Sequence, residues 1–120
     1  MKFIHTADWH IGRKLQQVDL LDDQEFVLNN LIKEIKEQDL DFIIIAGDLY
    51  DRSVPSREAT TLLQELLIKI NIECDLPIFA ISGNHDSRER LAVGQAWFSK
   101  HNFYLATQLE EAFHKIQYKD

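Results

Sequence analysis

The sequence predicts an α/β domain with a mainly parallel sheet and a β-α-β-α-β-α order, followed by a further strand. Three observations carry that prediction. The short continuous apolar runs Phe42-Ile43-Ile44-Ile45-Ala46 and Pro77-Ile78-Phe79-Ala80-Ile81 have the composition of strands buried on both faces. Between such runs lie segments whose apolar residues recur every three or four positions, the period of one helix face. The two kinds of segment alternate, as they do when parallel strands are joined by helical crossovers.

The elements follow in order. Lys2 to Thr6 reads as a short strand. Leu28, Leu31, Ile32 and Ile35 fall at i, i+3, i+4 and i+7, and their helix should begin near Asp22 or Asp23, where carboxylates suit the positive end of the helix dipole. Phe42 to Ala46 is the second strand. Ser56, after Pro55, has the character of an N-cap for a second helix marked by Ala59, Leu62, Leu63, Leu66, Leu67 and Ile70. Pro77 to Ile81 is the third strand, Leu91 to Lys100 a shorter helix weakened by Gly94, and Phe103 to Leu105 a fourth strand. Phe113 to Tyr118 has a weaker strand pattern.

Composition bounds the function. The 120 residues, 45% apolar and 28% charged with 4 Gly and 2 Pro, describe one globular domain rather than a disordered or fibrous chain. A single cysteine, Cys74, excludes an internal disulfide and suits a reducing compartment. No apolar run approaches the ~18 residues of a membrane span, and Met1 to His5 has no secretory character, so a cytoplasmic location without a membrane partner is expected. A net charge of -7 is a poor basis for non-specific nucleic-acid binding, which draws on phosphate neutralisation. The five arginines, Arg13, Arg52, Arg57, Arg88 and Arg90, are expected outside the two long helices, where their planar forks suit phosphate oxygens.

In a parallel sheet, ligands bind beyond the carboxyl ends of the strands. That rule nominates three loops. They read Asp8-Trp9-His10-Ile11-Gly12, Gly47-Asp48-Leu49-Tyr50-Asp51-Arg52 and Gly83-Asn84-His85-Asp86. Asp8 and His10, two residues apart on an extended segment, would aim at one point, and Asp48 would project into the same cleft. Carboxylate, imidazole and carboxamide groups together suit divalent ions such as Mn, Fe or Zn. Asp-x-His and Gly-Asp-x-x-Asp are each common, whereas Gly-Asn-His-Asp should arise by chance in roughly one such chain in a thousand. All three in order, each at a strand end, form a specific signal.

Asp8/His10, Gly47-Asp48…Asp51 and Gly83-Asn84-His85-Asp86 resemble the first three signature motifs of the calcineurin-like metallophosphoesterases. The runs His5 to Gly12, Ala46 to Asp51 with Pro55-Ser56, and Gly83 to Ser87 are similar to the branch of that family whose members are bacterial double-strand-break repair nucleases working with an ATPase partner. The resemblance implies the amino-terminal half of a helix-flanked β-sandwich, with residues 1–120 forming the first part of a nuclease domain. It implies that Asp8 and His10 hold a first metal, Asp48 bridges two, and Asn84 holds the second. Mn2+ is the expected ion, with Mg2+, Fe2+ or Zn2+ as alternatives. Two cations ~3.5–4 Å apart favour in-line attack of water on phosphorus. His85 would protonate the leaving oxygen, Asp51 would fix the tautomer of His85, and Arg52, Arg13 and Arg88 would contact the substrate. DNA ends and hairpins are the implied substrates, acted on by a 3'-5' exonuclease and hairpin endonuclease, and the whole protein is the implied homodimer.

The family's two later motifs, a Gly-His and a Gly-His-x-His, do not occur in these 120 residues. The chain is therefore expected to be part of a longer protein, to hold metal weakly by itself and to lack hydrolytic activity alone. One sheet face, covered by helices in neither crossover, is expected to expose apolar residues. Two other functions remain open: another phosphoesterase of the same superfamily, acting on phosphoproteins, cyclic nucleotides or lipids, and a non-catalytic docking module.

Overall fold

The computed structural model describes residues 1–81 and 103–106. Four strands, β1 (Phe3–Ala7), β4 (Phe42–Ala46), β5 (Ile78–Ile81) and β6 (Phe103–Ala106), form one parallel sheet in that spatial order. The expected α/β class and mainly parallel sheet are thus present. A small antiparallel hairpin, β2 (Lys14–Leu15) and β3 (Val18–Asp19), follows β1. Helix α1 (Leu21–Glu37) leads from it to β4, and α2 (Arg57–Ile68) leads from β4 towards β5. The predicted Leu91–Lys100 helix and Phe113–Tyr118 strand lie outside the described residues.

Local chemistry sets the helix boundaries. Asp19 Oδ1 accepts the Leu21 N–H at 2.9 Å, and Asp22 and Asp23 occupy the first turn of α1. Ser56 caps α2 through a 3.1 Å bond to the Ala59 N–H. Arg57 is the first residue of α2, so the expectation that all five arginines stand outside the helices is corrected there. A π-helical turn, Lys69–Glu73, prolongs α2. Within it, Asn71 donates to the Leu76 carbonyl at 3.2 Å and so draws the chain round towards β5.

The two faces of the sheet differ. Ile43, Ile45, Ile78, Ala80 and Phe103 are buried in one core with Leu28, Ile32 and Ile35 of α1 and Leu62, Leu63, Leu66 and Leu67 of α2. The opposite face carries Phe3, Phe42, Phe79 and Tyr104 as a run of ring contacts, stacked, edge-on and stacked, at centroid distances of 4.8, 5.4 and 5.0 Å. Phe3 and Ile81 are 48% and 50% exposed there, so this face is apolar and open to solvent.

Candidate metal centre

The loops after β1 and β4 run side by side at the carboxyl end of the sheet. Asp8 N–H donates to the Gly47 carbonyl, His10 N–H to Asp48, and Ile11 N–H to Leu49, at 3.2, 2.9 and 3.0 Å. Asp51 N–H returns a bond to the Ile11 carbonyl at 3.1 Å. Buried and projecting residues interleave in both loops. Trp9, Ile11, Leu49 and Tyr50 enter the core, which leaves Asp8, His10, Asp48 and Asp51 to face the cleft. Trp9 and Tyr50 are therefore packing residues, and the Trp9 indole N–H is satisfied by Thr6 Oγ1 at 2.9 Å.

His10 Nε2 lies 3.9 Å from Asp8 Oδ1 and 4.0 Å from Asp48 Oδ2. One ligand atom from each of Asp8, His10 and Asp48 falls within 4.8 Å of the others. Donors ~2.0–2.2 Å from a common cation stand ~3–4 Å apart, so the 3.9 and 4.0 Å pairs lie at the upper edge of that range, and a single divalent ion would draw the three groups slightly together. Two carboxylate oxygens and an imidazole nitrogen are also a donor set for Mn, Fe or Zn rather than for thiolate-seeking metals. Cys74 precedes β5, at the other end of the sheet. Asp48 and His10 are 17% and 19% exposed and Asp8 67%, so the cluster opens to solvent on the Asp8 side.

The geometry departs from the sequence expectation in one respect. Asp8 and His10 do not lie on an extended segment. Their φ angles are 56° and 47°, and that of Asp48 is 50°, all in the left-handed region. Each such residue costs ~1–3 kcal/mol unless its surroundings hold it, and strain of this kind gathers at functional sites. Gly47 at φ 77° and Gly12 at φ 92° supply the remaining turns.

Asp51 Oδ1 stands 3.4 Å from His10 Nδ1, on the side of the ring away from Asp8 and Asp48. Among the described residues, Asp51 thus faces a candidate ligand. His85, the partner expected from the sequence, lies outside the described residues, as do Asn84 and Arg88. Arg13 and Arg52 are exposed and lie outside the ligand cluster. Arg52 borders a separate cleft of about 180 Å3 with Gly12, Lys14 and Ser56.

One residue that sequence reasoning did not single out reaches this site. Gln24, in the first turns of α1, donates through Nε2 to the Trp9 and His10 carbonyls at 3.2 and 2.8 Å. Its Oε1 accepts the Gly12 N–H at 3.0 Å. The signal was available, because Gln24 stands four residues before Leu28 and seven before Leu31, a polar residue on an apolar stripe.

Residues 1–118 match the sequence model of the calcineurin-like phosphoesterases. The chain belongs to that family. Among curated proteins it is 50% identical over 110 residues to the SbcD component of the SbcCD nuclease from Staphylococcus epidermidis, covering 92% of this chain and 29% of that protein. It is 47% identical over 111 residues to the protein of the same name from Staphylococcus saprophyticus, covering 92% of this chain and 30% of that protein. The chain thus spans less than a third of the length of these relatives. Among the described residues, no helix of this calcineurin-like phosphoesterase chain is long and apolar enough to cross a membrane.

Proposed function

We propose that the chain is the amino-terminal part of a metal-dependent DNA nuclease, an SbcD-like protein that hydrolyses phosphodiester bonds together with an SbcC-like ATPase. The observation that carries this reading is the convergence of Asp8, His10 and Asp48 within 4.8 Å at the sheet's carboxyl end, in a chain half identical to a nuclease component. Exonuclease action on duplex ends, endonuclease action on hairpins, and a homodimer of the whole protein belong to the same proposal.

Asp8 and His10 would hold one divalent cation, Mn2+ in our reading, and Asp48 would reach a second held by Asn84. Such cations supply Lewis acidity and offset phosphate charge. The chain's own residues do the rest. Asp48, backed by the β4 strand end, fixes the spacing of the site. Asp51, whose Oδ1 is 3.4 Å from His10 Nδ1, would hold the ring with Nε2 towards the cleft once the two close to hydrogen-bond geometry, in the manner of carboxylates behind metal-binding imidazoles. His85 would donate a proton to the leaving oxygen. Arg52, Arg13 and Arg88 would meet the DNA backbone, which lets an acidic chain bind it locally.

The test is a substrate panel for the full-length protein with Mn2+: hairpin DNA, a phosphopeptide and a cyclic nucleotide, each also with Asp48→Asn. Mn2+-dependent cleavage of the hairpin, lost in the variant, is the expected result. Cleavage of only the phosphopeptide or the cyclic nucleotide would assign the site to another phosphoesterase class. No Mn2+ binding and no hydrolysis would leave a docking module.

A further inference from the structure

A side chain of α1 holds the loop that presents Asp8 and His10. A primary carboxamide offers two N–H donors and one acceptor on a planar head. Gln24 directs all of this capacity at the loop, bridging two carbonyls and one N–H at Trp9, His10 and Gly12. The residues it bridges alternate with, or include, those in left-handed conformation. Its own backbone is fixed in α1, where its N–H donates to the Leu20 carbonyl at 2.9 Å. Helix α1 is in turn anchored in the core by Leu28, Ile32 and Ile35. A rigid element therefore reaches the strained loop through the Gln24 amide.

We propose that Gln24 is a positioning residue for the metal centre: its carboxamide locks residues 9–12 so that Asp8 and His10 converge with Asp48. The proposal rests on the metal-centre reading above. No other natural side chain of similar length reproduces the pattern. Glutamate would set carboxylate oxygens against the Trp9 and His10 carbonyls. Lysine would donate but leave the Gly12 N–H without an acceptor. Methionine would fill the space and make none of the three bonds. Supports standing behind metal ligands typically set affinity by about 10–100-fold.

The experiment compares wild type, Gln24→Met and Gln24→Glu in the full-length protein. Ile35→Val, a core change in the same helix but remote from the loop, is the control for general destabilisation. Mn2+ affinity is measured by isothermal titration calorimetry. Amide hydrogen exchange at His10 and Ile11 is measured without metal. Both Gln24 variants should bind Mn2+ about 10–100-fold more weakly and exchange those two amides faster, while Ile35→Val changes neither. Wild-type affinity and exchange in Gln24→Met would overturn the clamp, as would an equal loss in Ile35→Val. A wild type that binds no Mn2+ would overturn the metal-centre reading and the proposal with it. Unchanged exchange in variants of a protein that does bind Mn2+ would overturn the clamp alone.

Discussion

Gly12 joins three parts of the molecule, and replacing it by alanine separates two physical costs. Its φ of 92° lies where side-chain-bearing residues are strained, by ~1–3 kcal/mol. An added Cβ would also stand 3.1 Å from the Ala59 Cβ, a methyl on the first turn of α2, and overpacking of that kind costs ~1–3 kcal/mol. Against this, alanine stiffens the unfolded chain and returns ~0.4–1 kcal/mol. Gly12→Ala should therefore destabilise the fold by about 1–5 kcal/mol, a large share of the ~5–15 kcal/mol of a typical domain. Urea unfolding measures it, with the midpoint falling and the slope unchanged. The double variant with Ala59→Gly divides the two terms. The glycine in α2 costs ~0.5–1 kcal/mol by itself, but it removes the clash, so the pair should be coupled by ~1–3 kcal/mol. The conformational cost at φ 92° should persist in the pair. A single-variant loss below ~0.5 kcal/mol would refute the backbone argument, and zero coupling would refute the steric one.

Four further outcomes follow from the same geometry. Asp48→Asn should reduce Mn2+ affinity by about 100-fold or more, beyond the effect typical of supporting residues, as read by calorimetry. Asp51→Asn should weaken Mn2+ binding by about 10–100-fold, since it removes the carboxylate 3.4 Å from His10 Nδ1, and unchanged affinity would deny that contact a role. Ser56→Ala should cost ~1 kcal/mol in urea unfolding through the lost cap on α2. Burial raises the Cys74 thiol above its ordinary value and Glu73 adds to the rise, while Lys36 opposes it. Iodoacetamide should then react more slowly at pH 8 than with a free peptide cysteine, and Lys36→Met should slow it further. The stability carried by the retained proton is present below the unfolded thiol's pKa and is lost as pH rises through the folded value.

Much of the sheet was legible because burial writes itself into composition. Phe42 to Ala46 is apolar at every position and is β4 residue for residue. Ala59 to Ile70 keeps the helical period, and Ser56 caps it as its side-chain chemistry suggests. The hairpin was not legible. Its two strands are two residues each, and its turn residues, Gln16 and Gln17, take φ of 52° and 66° without the Asn-Gly signal that marks such turns. The π-helical turn at Lys69–Glu73 was equally hidden, because an apolar stripe ending at Ile70 reads the same whether the last turn is α or π. In the site, residue type was legible and backbone form was not. Carboxylate and imidazole groups at strand ends mark a candidate cation site, but nothing in Asp8-Trp9-His10 says that its outer residues are left-handed.

That hidden backbone explains why the cluster can exist at all. Asp8, His10 and Asp48 are in a costly conformation, and the carboxylates repel one another, so free loops would relax apart. Trp9, Ile11, Leu49 and Tyr50, which alternate with them, are 8%, 1%, 0% and 4% exposed. Burial of each contributes ~1.5–3 kcal/mol, comparable with the ~1–3 kcal/mol that a left-handed neighbour costs. The alternation therefore balances strain locally: each residue forced outward sits beside one drawn inward. Loop-to-loop hydrogen bonds from Asp8 to Gly47, His10 to Asp48 and Ile11 to Leu49 then fix the register between the two halves of the site. A cation would relieve the remaining charge repulsion between side chains that the left-handed backbone and the buried neighbours hold together.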